Sequence, residues 1–304
     1  MEKHFYYKPS GKFSPLFFVY ALLIVVAVVP IISAVYIYLS YYTPIVYLKI
    51  FVTIGCGIAM GFLMGFAAKL GKARNPMLVL VSTVAVMCIA KYVQWTVYIP
   101  LVFYDSYRIN VTFSDRFLTS LYLLAEPGTV FEMASVINAA GIWSMGRGMT
   151  AVSGVPLFAV WAMEFAAMTG AACMAAREKP RFPFCEDSNA WYGKKPDRVE
   201  AGIPGNFEHL KAAIENGRHG ELAHLARLAK EKDGGADLLS LLFYKSPSPA
   251  QPYYLQINQV KINRGKKKEG KTLLKYIAVD GESAKEITGG GLSAAGLQRD
   301  KTCG

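Results

Sequence analysis

The sequence predicts an α-helical multi-pass membrane protein, with four transmembrane helices followed by a small α+β cytoplasmic domain. Three observations carry that expectation. Hydrophobic residues make up 53% of the 304 and mean hydropathy is +0.27, high for a chain surrounded only by water. Nearly all of that apolar character lies before Arg177, in runs long enough to cross a hydrocarbon core of about 30 Å. Beyond Arg177 the chain turns polar and basic, with the turn residues and alternating patterns of a folded soluble domain.

Taken in order, residues 1–15 form a cytoplasmic N-tail carrying Lys3, Lys8 and Lys12. The apolar run at 16–39 is too long for a signal-peptide core and lacks a small-residue cleavage site, so it reads as an uncleaved first span, kinked at Pro30. A turn through Tyr41, Tyr42, Thr43 and Pro44 leads to the second span at 45–68, its tyrosines suited to an interfacial belt. Within that span Gly57, Gly61 and Gly65 recur every fourth residue, one step after Thr53. The spacing lays a stripe without side chains along one face, against which another helix can pack closely, here expected to be a helix of the same chain.

Asn75-Pro76 opens the third span, 77–104, with proline where its missing N–H does no harm. Residues 105–153 form an outer loop. Its apolar stretches, 117–124 and 130–142, are too short to span and are separated by Pro127-Gly128. The expectation is two short helices lying on or dipping into the interface, anchored by Trp143, with a re-entrant loop as the alternative. The fourth span is 154–176. Basic clusters flank spans one, two–three and four at alternate ends (Lys69, Lys72 and Arg74; Arg177, Lys179 and Arg181), which places both termini in the cytoplasm of a bacterial inner or plasma membrane.

Past the membrane, the prolines of 177–205 read as a linker. An α+β domain at 206–288 is expected to hold a helix from Phe207 to Glu215 capped by Asn206, a second helix at 219–232 and a third near 236–244. Strands at 253–262 and 272–279 follow, joined by a basic turn containing Lys266, Lys267 and Lys268. The glycine-rich 289–304 reads as a flexible tail.

The net charge of +11 is spread along the chain: eleven Lys/Arg and six Asp/Glu up to residue 176, then 22 and 16 beyond it. That density, without interleaved aromatics, argues against nucleic acid and for an anionic membrane surface. The five cysteines form no CxxC, and the four histidines have no metal-ligand spacing. Walker, dinucleotide, G-x-S-x-G and H-E-x-x-H signatures are missing from the sequence. No catalytic residue, metal or cofactor is therefore assigned.

Two ionisable side chains sit inside apolar runs, where charge is costly unless satisfied: Lys91 and Glu164. Counted from the basic ends of their spans, they lie at similar depths, about 22 and 20 Å. Gln94 and Tyr98 share the face of Lys91, at i+3 and i+7. The first reading of these four residues is a structural clamp between spans three and four; the sharper one is a site for a proton, ion or polar substrate. The Lys266–Lys268 turn is assigned to lipid headgroups.

The expected function is a non-enzymatic scaffold or sensor-like component whose cytoplasmic domain binds a protein. The runner-up is a small oligomeric transporter or channel subunit built on the Lys91/Glu164 stripe. Expected partners are the bilayer, a protein meeting the cytoplasmic domain and a second copy of the chain. A scaffold should bury Lys91 and Glu164 in a dry contact, whereas a transporter should show a continuous polar cavity reaching them from one side.

Overall fold

A computed structural model describes residues 6–43, 45–141, 143–144, 151–193, 195–202, 207–216, 220, 238–248, 251–263 and 266–292. The chain divides into two compact units, Ser10–Arg181 and Met1–Pro9 with Phe182–Gly304. The first is helical and contains four helices long and apolar enough to cross a membrane.

Helix α1 runs from Leu16 to Tyr42. Upstream of Pro30 it widens into a π-helical turn at Ile24–Val28, and the Val29 N–H reaches back five residues to the Ile24 carbonyl. A proline inside a helix removes one backbone donor, and a π-turn absorbs the mismatch. Helix α2 covers Val46–Leu70 and α3 covers Pro76–Ser106. The Asn75 side chain caps α3, accepting a hydrogen bond from the Leu78 N–H at 3.0 Å.

Helices α4 (Phe113–Ala125) and α5 (Pro127–Ala140) fill most of residues 105–153. A capping box between Thr112 and Asp115 starts α4. It then runs back along α3, as three contacts in sequence record. Arg116 pairs with Asp105 at 2.9 Å, Thr119 meets Tyr104 at 3.0 Å, and the Tyr92 hydroxyl donates to the Leu123 carbonyl at 3.0 Å. Pro127 turns the chain, and Val130 of α5 joins Ile99 and Leu123 in a small apolar cluster. The two helices are thus a hairpin leaning on α3. A two-residue ladder, β1 (Trp143–Ser144) with β2 (Ala151–Val152), closes the loop; the Trp143 side chain lies outside the described residues.

Helix α6 (Val155–Ala176) makes its closest contact with α2. A Cβ on Gly57 would sit 2.2 Å from the Met168 carbonyl oxygen, and one on Gly61 2.2 Å from that of Ala172. At Gly65 the nearest atom would be the flexible Lys179 side chain, at 3.1 Å. The glycine stripe therefore meets a helix of the same chain, backbone on backbone. Around it Met60, Met64, Met87 and Met168 are almost fully buried.

The second unit is a four-stranded antiparallel sheet in the order β5-β6-β7-β8: Asp197–Gly202, Leu238–Tyr244, Tyr253–Asn263 and Lys266–Val279. Helices α7 (Phe207–Glu215) and α8 (Gly281–Leu292) contribute Leu210, Ile214, Ala284 and Ile287 to the core on one face. Cys185, Tyr192, Leu242 and Tyr244 form a second cluster.

Five expectations change here. Residues 238–244 are the strand β6 where a third helix was expected. Its run LLSLLFY is buried almost throughout, and a run apolar but for Ser240 carries no period to separate a central strand from a helix. The Pro-punctuated 177–205 is more than a linker, since it contains a 3₁₀ turn at Lys179–Arg181, the hairpin β3 (Phe184–Cys185) with β4 (Ala190–Trp191), and β5. Prolines stop helices but tolerate short edge strands. Lys266–Lys268 stand within β8, in register with Asn263, Ile262 and Lys261, because the hairpin pairs almost to its tip; their side chains lie outside the described residues. Helix α8 continues through Gly289–Gly291 to Leu292, into what composition assigned to the tail. The expected Asn206 cap and nearly all of the 219–232 helix fall outside the described residues.

The fifth change concerns the N-tail. Tyr6 bridges to Ile277 of β8, and the Tyr7 N–H donates to the Tyr276 carbonyl at 2.8 Å. The Tyr6 hydroxyl donates to Glu215 Oε1 at 2.6 Å, and the Tyr7 ring meets Tyr254 edge-on at 5.3 Å. A pair of adjacent tyrosines in so short a basic segment gives no warning of such docking.

These phenols make the unit sensitive to alkali. Burial pushes the Tyr192 hydroxyl up to about 12. Burial also raises Tyr254, and burial followed by the Glu215 hydrogen bond raises Tyr6. The folded state holds these protons where the unfolded state releases them, so stability is complete below about pH 10 and falls as pH rises beyond it. An alkaline titration of the full chain, following tyrosinate absorbance and circular dichroism together, should show loss of sheet signal coincident with late phenol ionisation. Free-phenol titration with the sheet intact would contradict this.

Candidate ligand-binding cavity

Each of the four long helices delivers a polar group to one point. On α3, Lys91, Gln94, Trp95 and Tyr98 share a face by helical spacing, and on α6 Trp161, Glu164 and Met168 do the same. The Lys91 Nζ lies 3.7 Å from Glu164 Oε1. The Tyr36 hydroxyl of α1 donates to the same carboxylate oxygen and lies 3.2 Å from the Thr53 hydroxyl of α2. The network thus ties α1, α2, α3 and α6 together around one carboxylate.

The contact is not dry. A cavity of about 630 Å³, within the range of small-molecule sites, reaches both charges. Their side chains keep 21% and 29% exposure. Its walls are mainly apolar and aromatic: Trp95 stands edge-on to Trp161 at 4.8 Å and to Tyr98 at 5.6 Å. Gln94 lines it too, only 1% exposed. The Gln94 Nε2 donates weakly to the Met168 sulfur at 3.6 Å, while its Oε1 accepts from no described residue.

All four expected site residues, Lys91, Gln94, Tyr98 and Glu164, line this one cavity. Gly57, Gly61 and Gly65 lie beneath it and set the α2–α6 spacing. Lys266–Lys268 are in the other unit. Sequence reasoning missed Tyr36 and Lys49. Tyr36 belongs to a polar row Ser33, Tyr36, Ser40 at i, i+3, i+7 of an otherwise apolar helix. Lys49 extends the row Thr53, Gly57, Gly61, Gly65 one step upward. Both signals were readable as helical rows.

The cavity offers an ammonium, a carboxylate, phenol hydroxyls and an amide set in apolar and aromatic walls. The helical unit has no histidine to act as a general base, and among the described residues no group of three His, Cys, Asp or Glu could hold a metal. Removing one donor tests the network. Tyr36→Phe deletes a hydrogen bond to a charged acceptor and is expected to cost about 2 kcal/mol. Thr53→Val, which leaves the carboxylate contact in place, should cost less; thermal denaturation in detergent reads both, and equal costs would contradict a Glu164-centred network.

Set against known protein families, curated proteins and solved structures, the chain matches none.

Proposed function

We propose that the chain is a multi-pass membrane protein of the plasma or bacterial inner membrane that acts as a sensor-like component. Its four-helix bundle holds a small molecule, and its second unit meets a protein partner in the cytoplasm. The observation that carries this is a cavity lined by a charged pair, Lys91 and Glu164. Its lining ends at Tyr36, Ile54, Lys91 and Ala167, and toward the basic ends of the helices Met60, Met64, Met87, Ala172 and Ala176 belong to one buried apolar cluster. A cavity backed by packed apolar side chains suits holding a ligand better than passing one.

Two features support the orientation. The basic clusters follow the positive-inside rule. The N-terminal segment and the C-terminal domain also belong to one compact unit, which supports an even number of crossings. Four spans meet that condition, with the α4–α5 hairpin entering and leaving on the outer side.

Native mass spectrometry of the full chain released from nanodiscs tests the reading. A bound small molecule is expected, lost in Ala167→Trp, whose new ring would occupy the cavity wall. Access of the cavity to Lys91 and Glu164 also favours a transporter, alone or as an oligomer. Liposome flux separates the two: a conductance or uptake abolished by altering Lys91 would replace the sensor with the transporter.

A further inference from the structure

The polar contacts between α3 and α6 leave hydrogen-bonding capacity unused. Lys91 and Gln94 lie one turn apart on α3, and Glu164 and Met168 one turn apart on α6, so the Lys91–Glu164 and Gln94–Met168 contacts join the same two faces. The Lys91 ammonium has three N–H donors. It stands 3.7 Å from Glu164 Oε1 and makes no hydrogen bond among the described residues. Tyr36 and Lys91 both approach Oε1, while Glu164 Oε2 accepts from no described residue. Gln94 is 1% exposed; its Nε2 is engaged by the Met168 sulfur, and its Oε1 is an acceptor without a donor among the described residues. Buried acceptors are seldom left so.

Lys91, Gln94 and Glu164 all line the cavity, so its wall presents donors and acceptors together. The charged pair is electroneutral, and a ligand of one sign would set its charge against one member of the pair. A ligand carrying both signs would not. The opposite charges of the wall lie 3.7 Å apart, a separation matched by an ammonium and a carboxylate on the same carbon. Beside the pair the wall is aromatic, with Trp95 edge-on to both Trp161 and Tyr98. Perpendicular rings offer edges and faces to an apolar or aromatic substituent, and the faces attract an ammonium. Lys49, which also lines the cavity, has a partner of its own and is given no role.

We propose that the cavity takes a free α-amino acid with an apolar or aromatic side chain, held as its zwitterion. This rests on the ligand-holding reading above. The ligand's ammonium donates to Glu164 Oε2 and Gln94 Oε1, and its carboxylate accepts from Lys91. The two pairs of charges then lie head to tail, and the Lys91–Glu164 contact is kept. Low dielectric strengthens such charge-assisted hydrogen bonds. The ligand's side chain lies among Trp95, Tyr98 and Trp161.

The full chain in phosphatidylcholine nanodiscs would be titrated with tritiated L-leucine and with tritiated L-phenylalanine. Saturable binding of at least one is expected. Analogues carrying a single charge (isoamylamine and isocaproate for leucine, phenethylamine and hydrocinnamate for phenylalanine) should compete at least about tenfold more weakly, the equivalent of one lost charged hydrogen bond. Gln94→Met gives up only the weak bond to Met168, so it should unfold no earlier than the native chain yet bind about tenfold more weakly. Competition by the amine as strong as by the amino acid would mean a simple cation site, and by the acid a simple anion site. Equal competition by glycerophosphoethanolamine would mean a lipid headgroup. Each of these overturns the amino acid but leaves a ligand cavity standing. Unchanged binding in Gln94→Met, or no saturable binding of either amino acid, would also overturn it. If, besides, no small molecule accompanies the chain in native mass spectrometry, the ligand-holding reading falls as well.

Discussion

Gly61→Ala is expected to destabilise the bundle by about 3 kcal/mol, the upper range for overpacking, and Gly57→Ala by a similar amount. At both positions the added methyl would meet a main-chain carbonyl oxygen at 2.2 Å, so the helices must separate or bend. The clash is with backbone, so trimming side chains on α6 cannot relieve it: Ala175→Gly is not expected to rescue Gly61→Ala. Gly65→Ala meets only a movable lysine chain and should be nearly neutral. Gly170→Ala, with open space around it, should gain up to about 1 kcal/mol from helix propensity. Unfolding of the four variants in mixed micelles reads the order directly. A Gly61→Ala as stable as Gly170→Ala would mean that α2 and α6 do not touch there.

Removing one charge of the Lys91–Glu164 pair should cost more than removing both. Lys91→Met alone leaves a carboxylate in a low-dielectric wall with only the Tyr36 hydroxyl for company; Glu164→Leu alone strands the ammonium. Each is expected to cost on the order of 3 kcal/mol, and the double replacement clearly less than either single change. A double-mutant cycle on thermal unfolding gives the coupling. Additive costs would show that the two groups are satisfied independently, for instance by water in the cavity.

The long helices were legible because each apolar run, such as 77–104, is long and uninterrupted, and a helix satisfies its N–H and C=O groups within the run itself. The depth argument for Lys91 and Glu164 worked from rise per residue alone. Tyr36 was harder, since a tyrosine near a helix end is normal in an interfacial belt, and only its row with Ser33 and Ser40 marks it as inward-facing. Where apolar residues run without a period, as in β6, burial on both faces erases the pattern that separates strand from helix. The Tyr6–Ile277 bridge could not be read at all. It depends on a backbone edge left open by strands near the other end of the chain, and no spacing within residues 6–9 encodes it.

That bridge has a bearing on how the protein is made and handled. Its N-terminal half leaves the ribosome before any of the sheet exists, and must wait, with α1 to α6 already translated, until Ile277 emerges. A fragment beginning at Phe182 would leave the backbone donors and acceptors of β8 that face Tyr6 and Tyr7 without those partners, an invitation to stick to its own kind. A bulky fusion ahead of Tyr6 should likewise loosen a domain that lies, in sequence, almost at the opposite end.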